Sequence, residues 1–116
     1  LGDVYKRQVY WMHRVEEYER EQLIFKPFGD ERFPLIGVFA YNTPKRPNPI
    51  GIAPCRILKV DLEKGLIYVK GLDALDGSPV LDIKPYQPPA HTIIGAKIPP
   101  WTKEHFKGKT VREVYP

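Results

Sequence analysis

Residues 50–69 decide the fold: Ile50–Asp61 (IGIAPCRILKVD), Leu62–Gly65 (LEKG) and Leu66–Val69 (LIYV). Cys55, Ile57, Leu58 and Val60 carry the apolar alternation of a strand. Leu62–Gly65 has the composition of a tight turn, and Leu66–Val69 is the apolar run that returns from it. The stretch predicts a β-hairpin. Upstream, Thr43–Pro49 cannot be regular structure, because Pro44, Pro47 and Pro49 each fix φ and remove a donor. Pro34–Tyr41 reads as a buried strand holding Gly37, where another backbone can approach closely. Leu23–Phe25 is a second short apolar run, closed by Pro27 and by Gly29-Asp30. Arg14–Glu21 is almost wholly charged and predicts a solvated loop or a single helical turn. Val9–His13 (VYWMH) is the aromatic and branched pattern of a buried strand.

Downstream, Val80–Ile83 predicts a short strand ended by Lys84-Pro85-Tyr86. A proline-rich, mostly extended tail follows from about residue 87, with one helical turn over Trp101–Phe106. Leu1–Gln8 resembles a recurring translated adaptor sequence more than natural protein. It is set aside as a non-native leader, so that residues 9–116 form one domain. The chain has 13 Pro and 9 Gly among 116 residues, a density that opposes a helical bundle and favours short strands joined by turns. About six such strands predict an all-β fold with little helix, a barrel or a sandwich.

Composition narrows the function. Hydrophobic residues make up 42% of the chain, enough for one modest core and too many for a disordered segment. A single cysteine forms no internal disulfide and no cysteine-rich zinc site, which fits a reducing, cytoplasmic setting. No apolar run is long enough for a membrane span, and no signal peptide is visible. A net charge of +4 permits nucleic acid or a phosphorylated ligand without demanding either.

Two segments can carry chemistry. In the first, Thr43–Gly51 (TPKRPNPIG), Lys45 and Arg46 sit in a backbone with few accessible conformations, so Arg46 would meet an anion already positioned. Asn48, between two prolines, is a turn residue whose amide can donate or accept. The plainer reading is a rigid surface turn with a solvated arginine. The second segment, Gly71–Tyr86, places Asp73, Asp76 and Asp82 around a Gly77-Ser78-Pro79 turn. Such carboxylates accept from ribose hydroxyls or an amino group, or hold a metal. The plainer reading makes Asp76-Gly77 a tight turn and pairs Asp82 with Lys84 or Arg46. His13, His91 and His105 lack metal-binding spacing, so no metal is expected. Cys55 reads as a buried inert thiol. The chain has no GxSxG, P-loop or GxGxxG motif, which argues against those hydrolase, NTPase and dinucleotide-binding classes.

Gly37–Ala40, the Arg46-Pro47-Asn48-Pro49-Ile50-Gly51 run, Leu72-Asp73 and Asp76–Tyr86 together resemble the signature of the TsaA-like family, the TrmO-type S-adenosylmethionine-dependent tRNA methyltransferases. Tyr10–Arg14 is similar to the family's aromatic-histidine strand. The resemblance covers about Val9–Tyr86. It implies a β-barrel that uses S-adenosylmethionine without a Rossmann sheet. It further implies methylation of N6 of threonylcarbamoyladenosine beside the tRNA anticodon, and a homodimer. Carried over position by position, it implies cofactor contacts from Met12, His13, Asn42, Ile52, Asp73, Ala74, Leu75 and Asp76. Lys45, Arg46, Asn48, Asp82, Lys84 and Tyr86 would bind substrate or shape the site, and no catalytic residue is singled out. Two departures stand out. Tyr41-Asn42 replaces the family's Thr-Arg, and the first strands with a Pro-Arg-Gln element are missing, so the barrel is expected to be incomplete at its N-terminus. The alternative is a small barrel module that binds RNA or a nucleotide-like ligand without catalysis.

Overall fold

The hairpin over residues 50–69 forms the spine of the structure. A computed structural model describes residues 4–105 of the chain. Strand β4 (Ile50–Asp61) runs antiparallel to β5 (Leu66–Lys70), with Asp61 opposite Leu66. Two local devices close the turn. The Lys64 N–H donates to Asp61 Oδ1 at 3.0 Å, and Gly65 takes φ +66°, a left-handed conformation that favours glycine.

Strand β1 (Tyr5–Trp11) lies between β4 and β6 (Val80–Pro85), in the order β5-β4-β1-β6, and pairs antiparallel with both neighbours. Pro54 has only β1 beside it, because β5 pairs with β4 from Arg56 onward; a residue without an N–H is tolerated best there. Strict alternation along β1 and β4 puts Lys6, Gln8 and Tyr10 on one face with Gly51, Ala53 and Cys55. Tyr10, Ala53 and Cys55 form the core there, and Met12, Val69 and Ala74 pack against it. The opposite face carries Val9 beside Ile52, which is 62% exposed.

One sequence expectation needs correction. Setting residues 1–8 outside the fold does not hold for Tyr5–Gln8, which are the first residues of β1, paired with Ala53–Arg56 and, from Lys6 on, with Ile83–Pro85. The rest of the assumed leader, residues 1–3, lies outside the described residues. The all-β character with little helix is as expected, and among the described residues the sheet stays open, with β5 and β6 as its edges. The chain groups into two compact units. Of the described residues, the first comprises 4–13 and 50–92, and the second 14–49 and 93–105.

In the second unit, β2 (Ile24–Phe25) pairs with β3 (Ile36–Gly37). The expected buried strand over Pro34–Tyr41 shortens to those two residues of β3, then turns into a 3-10 segment at Val38–Ala40. The Val38 N–H donates to the Leu23 carbonyl and the Tyr41 N–H to the Val38 carbonyl, so the chain curls after one bridging bond and leaves Phe39 83% exposed. Phe25, Pro27 and Val38 are buried, and Tyr41 lies against Phe25 and Phe28, with ring centroids 5.7 and 5.6 Å away. The charged stretch forms a 3-10 turn at Glu17–Glu21.

The expected extended tail contains two helical segments, α1 (Pro88–His91) and α2 (Pro100–His105). Both begin on proline, whose missing N–H costs nothing in a first turn. Phe106, expected to end the second turn, lies outside the described residues. No helix among the described residues is long and apolar enough to cross a membrane.

Candidate functional site

The loop between β5 and β6, residues 71–79, is irregular yet fixed at several successive points. At its start, the Tyr10 hydroxyl donates to the Asp73 carbonyl at 2.5 Å. One residue on, Ala74 packs against the core. The Ser78 N–H and hydroxyl then both donate to the Leu75 carbonyl, at 3.1 and 2.7 Å, closing the tight turn in which Gly77 takes φ +83°. At its end, the Trp11 N–H donates to the Pro79 carbonyl at 2.9 Å. The backbone is bound inward, and the side chains of Asp73, Leu75 and Asp76 are left exposed.

Two residues follow β1 directly into this region. Met12 packs against the Tyr10–Ala53–Cys55 core, as Ala74 does from the loop. His13 Nδ1 lies 3.4 Å from Ser78 Oγ. The single Ser78 hydroxyl proton is engaged with Leu75, so His13 Nδ1–H is the donor in that contact, and in the neutral ring Nε2 keeps its lone pair. The structure thus brings together Met12, His13 and Asp73–Asp76, which are far apart in sequence. Among the described residues, the Asp73 and Asp76 carboxylates form no ion pair or hydrogen bond. They are acceptors open to a ligand's hydroxyls or ammonium.

Other predicted residues lie elsewhere. Ile52 is on the opposite face of β4 from Tyr10 and Ala53, because the pleat alternates. Asp82 and Lys84, two apart on β6, pair at 2.8 Å, and Asp82 also accepts from the Ile83 N–H at 2.8 Å. These two bonds, the lysine's first, hold the Asp82 carboxyl below its ordinary range. The plainer reading of Asp82 is the one the structure supports. Tyr86 follows β6, its N–H donating to the Tyr5 carbonyl.

Asn42, Lys45, Arg46 and Asn48 belong to the second unit. The proline-punctuated loop is irregular, as expected, and Arg46 is part of its framework: Nη1 donates to the Tyr41 carbonyl at 2.8 Å and the backbone N–H to the Pro44 carbonyl. Arg20 Nε holds the Pro47 carbonyl at 2.8 Å, and Lys45 lies 3.5 Å from Glu19. Asn42 and Asn48 are exposed. Among the described residues no three or more His, Cys, Asp or Glu gather to hold a metal ion.

Sequence reasoning missed Tyr10 and Gly51. Gly51 lies directly opposite Tyr10 in the β1–β4 register, and a Cβ there would fall 2.6 Å from the ring's Cε2 and Oη and closer still to Cζ. An isolated glycine inside a strand is the signal that could have pointed to this crossing.

The architecture is that of a mostly β chain whose open antiparallel sheet presents a fixed acidic loop beside a strand-end histidine. The model of the tRNA-methyltransferase O N-terminal domain matches residues 6–91, and the chain belongs to that family. An S-adenosyl-L-methionine-binding protein of Archaeoglobus fulgidus is 46% identical over 82 residues, 69% of this chain and 52% of that protein. A tRNA (adenine(37)-N6)-methyltransferase of Eikenella corrodens is 48% identical over 54 residues, 46% of this chain and 31% of that protein. Among solved structures, TrmO from Pseudomonas aeruginosa superposes with a TM-score of 0.60 at 29% identity, covering 83% of this chain and 37% of that one. The chain spans about half the length of these proteins or less.

Proposed function

We propose that this chain carries the cofactor-binding part of an S-adenosylmethionine-dependent tRNA methyltransferase acting on N6 of N6-threonylcarbamoyladenosine beside the anticodon. One observation carries the reading: a loop bound inward through its backbone leaves the Asp73 and Asp76 carboxylates exposed and, among the described residues, unpaired, while Met12 shares the core contact of Ala74 and His13 contacts Ser78 of the same loop. That donor set fits the molecule, since carboxylates accept from ribose hydroxyls or an α-ammonium and a thioether-bearing methionine suits an apolar or sulfonium-bearing neighbour. Leu75 and Ala74 would supply apolar surface to the adenosine, and the family resemblance adds Ile52 and Asn42 to the proposed cofactor set. When bound, S-adenosylmethionine would supply an electrophilic methyl group.

On this reading Lys45, Arg46, Asn48, Asp82, Lys84 and Tyr86 bind substrate or shape the site, and the net charge of +4 favours approach to tRNA. The working form is a cytoplasmic homodimer. The names of the relatives support the cofactor and the tRNA substrate. Calorimetric titration of the chain with S-adenosylmethionine, followed by methyl transfer to tRNA with and without the threonylcarbamoyl group, tests it. Cofactor binding and transfer only to modified tRNA is the expected result. Binding without transfer would point instead to a non-catalytic ligand-binding module, and no binding would overturn the reading.

A further inference from the structure

We infer that Tyr10 is a positioning residue for the proposed cofactor site, holding the Asp73–Asp76 run in its ligand-ready form through the bond from its hydroxyl to the Asp73 carbonyl. The inference rests on the reading of that run as the cofactor loop.

Tyr10 is 6% exposed, and its ring crosses the bare Gly51 to reach the loop. The bond joins residues 63 positions apart and acts on the backbone of the first carboxylate-bearing residue, leaving the Asp73 carboxylate untouched. The remaining anchors fall later: Ala74 on the core, Ser78 on Leu75, and Pro79 on Trp11. Without the Tyr10 hydroxyl, the Asp73 peptide is the one link in this series left to turn. With that carbonyl released, the backbone at Asp73 can shift and carry its carboxylate with it, whereas the Ser78 turn would hold Asp76 nearly in place. The energy at stake is that of one partly buried hydrogen bond, so the effect expected is graded.

The test replaces Tyr10 by phenylalanine, which keeps the ring over Gly51 and removes only the donor. Titration with S-adenosylhomocysteine should show affinity weakened roughly three- to tenfold. Amide hydrogen exchange should speed up at Ala74 and Leu75 while β1 and β4 amides stay slow. Confinement of the faster exchange to the loop is the readout that general loosening would not give, and a pH profile adds to it. A phenolate cannot donate, so wild-type affinity should fall as Tyr10 ionises above its ordinary value of 10.0, and that step should be missing from Tyr10→Phe. The groups facing the hydroxyl are Asp73 from the loop and Cys55 from β4. Equal affinity and equal exchange in the two proteins would overturn the inference and leave the cofactor reading standing. Failure of the wild-type chain to bind would overturn both.

Discussion

Tyr10 and Gly51 face each other across the β1–β4 ladder, and the ring of the first occupies the space a side chain on the second would need. The glycine is thus required by its neighbour and not by its own backbone. Gly51→Ala should lower stability by about 1–3 kcal/mol, the usual cost of overpacking a tight core. Thermal melting of Gly51→Ala, Tyr10→Ala and the double variant checks this. In the double variant the clash is gone, so the two effects should be clearly less than additive.

Alkaline stability should depend on Tyr10. Burial, then the Asp73 and Cys55 charges, raise its ionisation above the ordinary 10.0. A raised acid favours the folded state while protonated. Its contribution is therefore whole below 10.0 and is lost as the pH rises through the folded-state value. Chemical denaturation across that window should show a decline that is smaller in Tyr10→Phe.

At the acid end, Asp30 offers a contrast. Hydrogen bonds from the Arg32 side chain and backbone bring its carboxyl down to about 2. A lowered acid contributes above its ordinary 3.8, and the contribution goes as the pH falls through about 2. The pair is at the surface, so its effect should be read as a titration and not as a melting shift. Carboxyl carbon resonances should place Asp30 nearer 3.8 in Arg32→Gln, with only the backbone donor remaining.

Arg46→Ala should be felt by the fold. Its guanidinium spans back to the Tyr41 carbonyl, and removing it should cost about 0.5–1.5 kcal/mol in a denaturant melt. Arg46→Lys, which lacks the planar fork, should recover only part of this. An unshifted melt would mean that the bond to Tyr41 adds nothing.

What could be read from the sequence was what is local. The β4–β5 hairpin announces itself through alternation and Leu62–Gly65, and the turn at Gly77 through its own residues. The Thr43–Pro49 loop is dictated by its prolines. The 3-10 turn at Val38–Ala40 was hidden because apolar residues there satisfy a strand pattern equally well, and only the bond to Leu23 selects the curl. The start of β1 was missed because Tyr5–Gln8 has little strand character of its own and gains it from two partners distant in sequence. Within the site, Asp73 and Asp76 stood out as a cluster. The tyrosine that holds them did not, since nothing in a linear chain marks a contact spanning 63 positions.

The position of β1 between β4 and β6 also governs the order in which the chain can assemble. During synthesis β1 emerges before both of its partners, which are encoded well downstream of it. Within the described sheet its neighbours β4 and β6 follow it in sequence, and the β4–β5 hairpin is the local pairing. Strand β6 gains its pairing from β1, so it adds to the sheet through that strand. Nascent chains halted before Ile50 should therefore present Val9–Trp11 to chaperones, and those released after Pro85 should not.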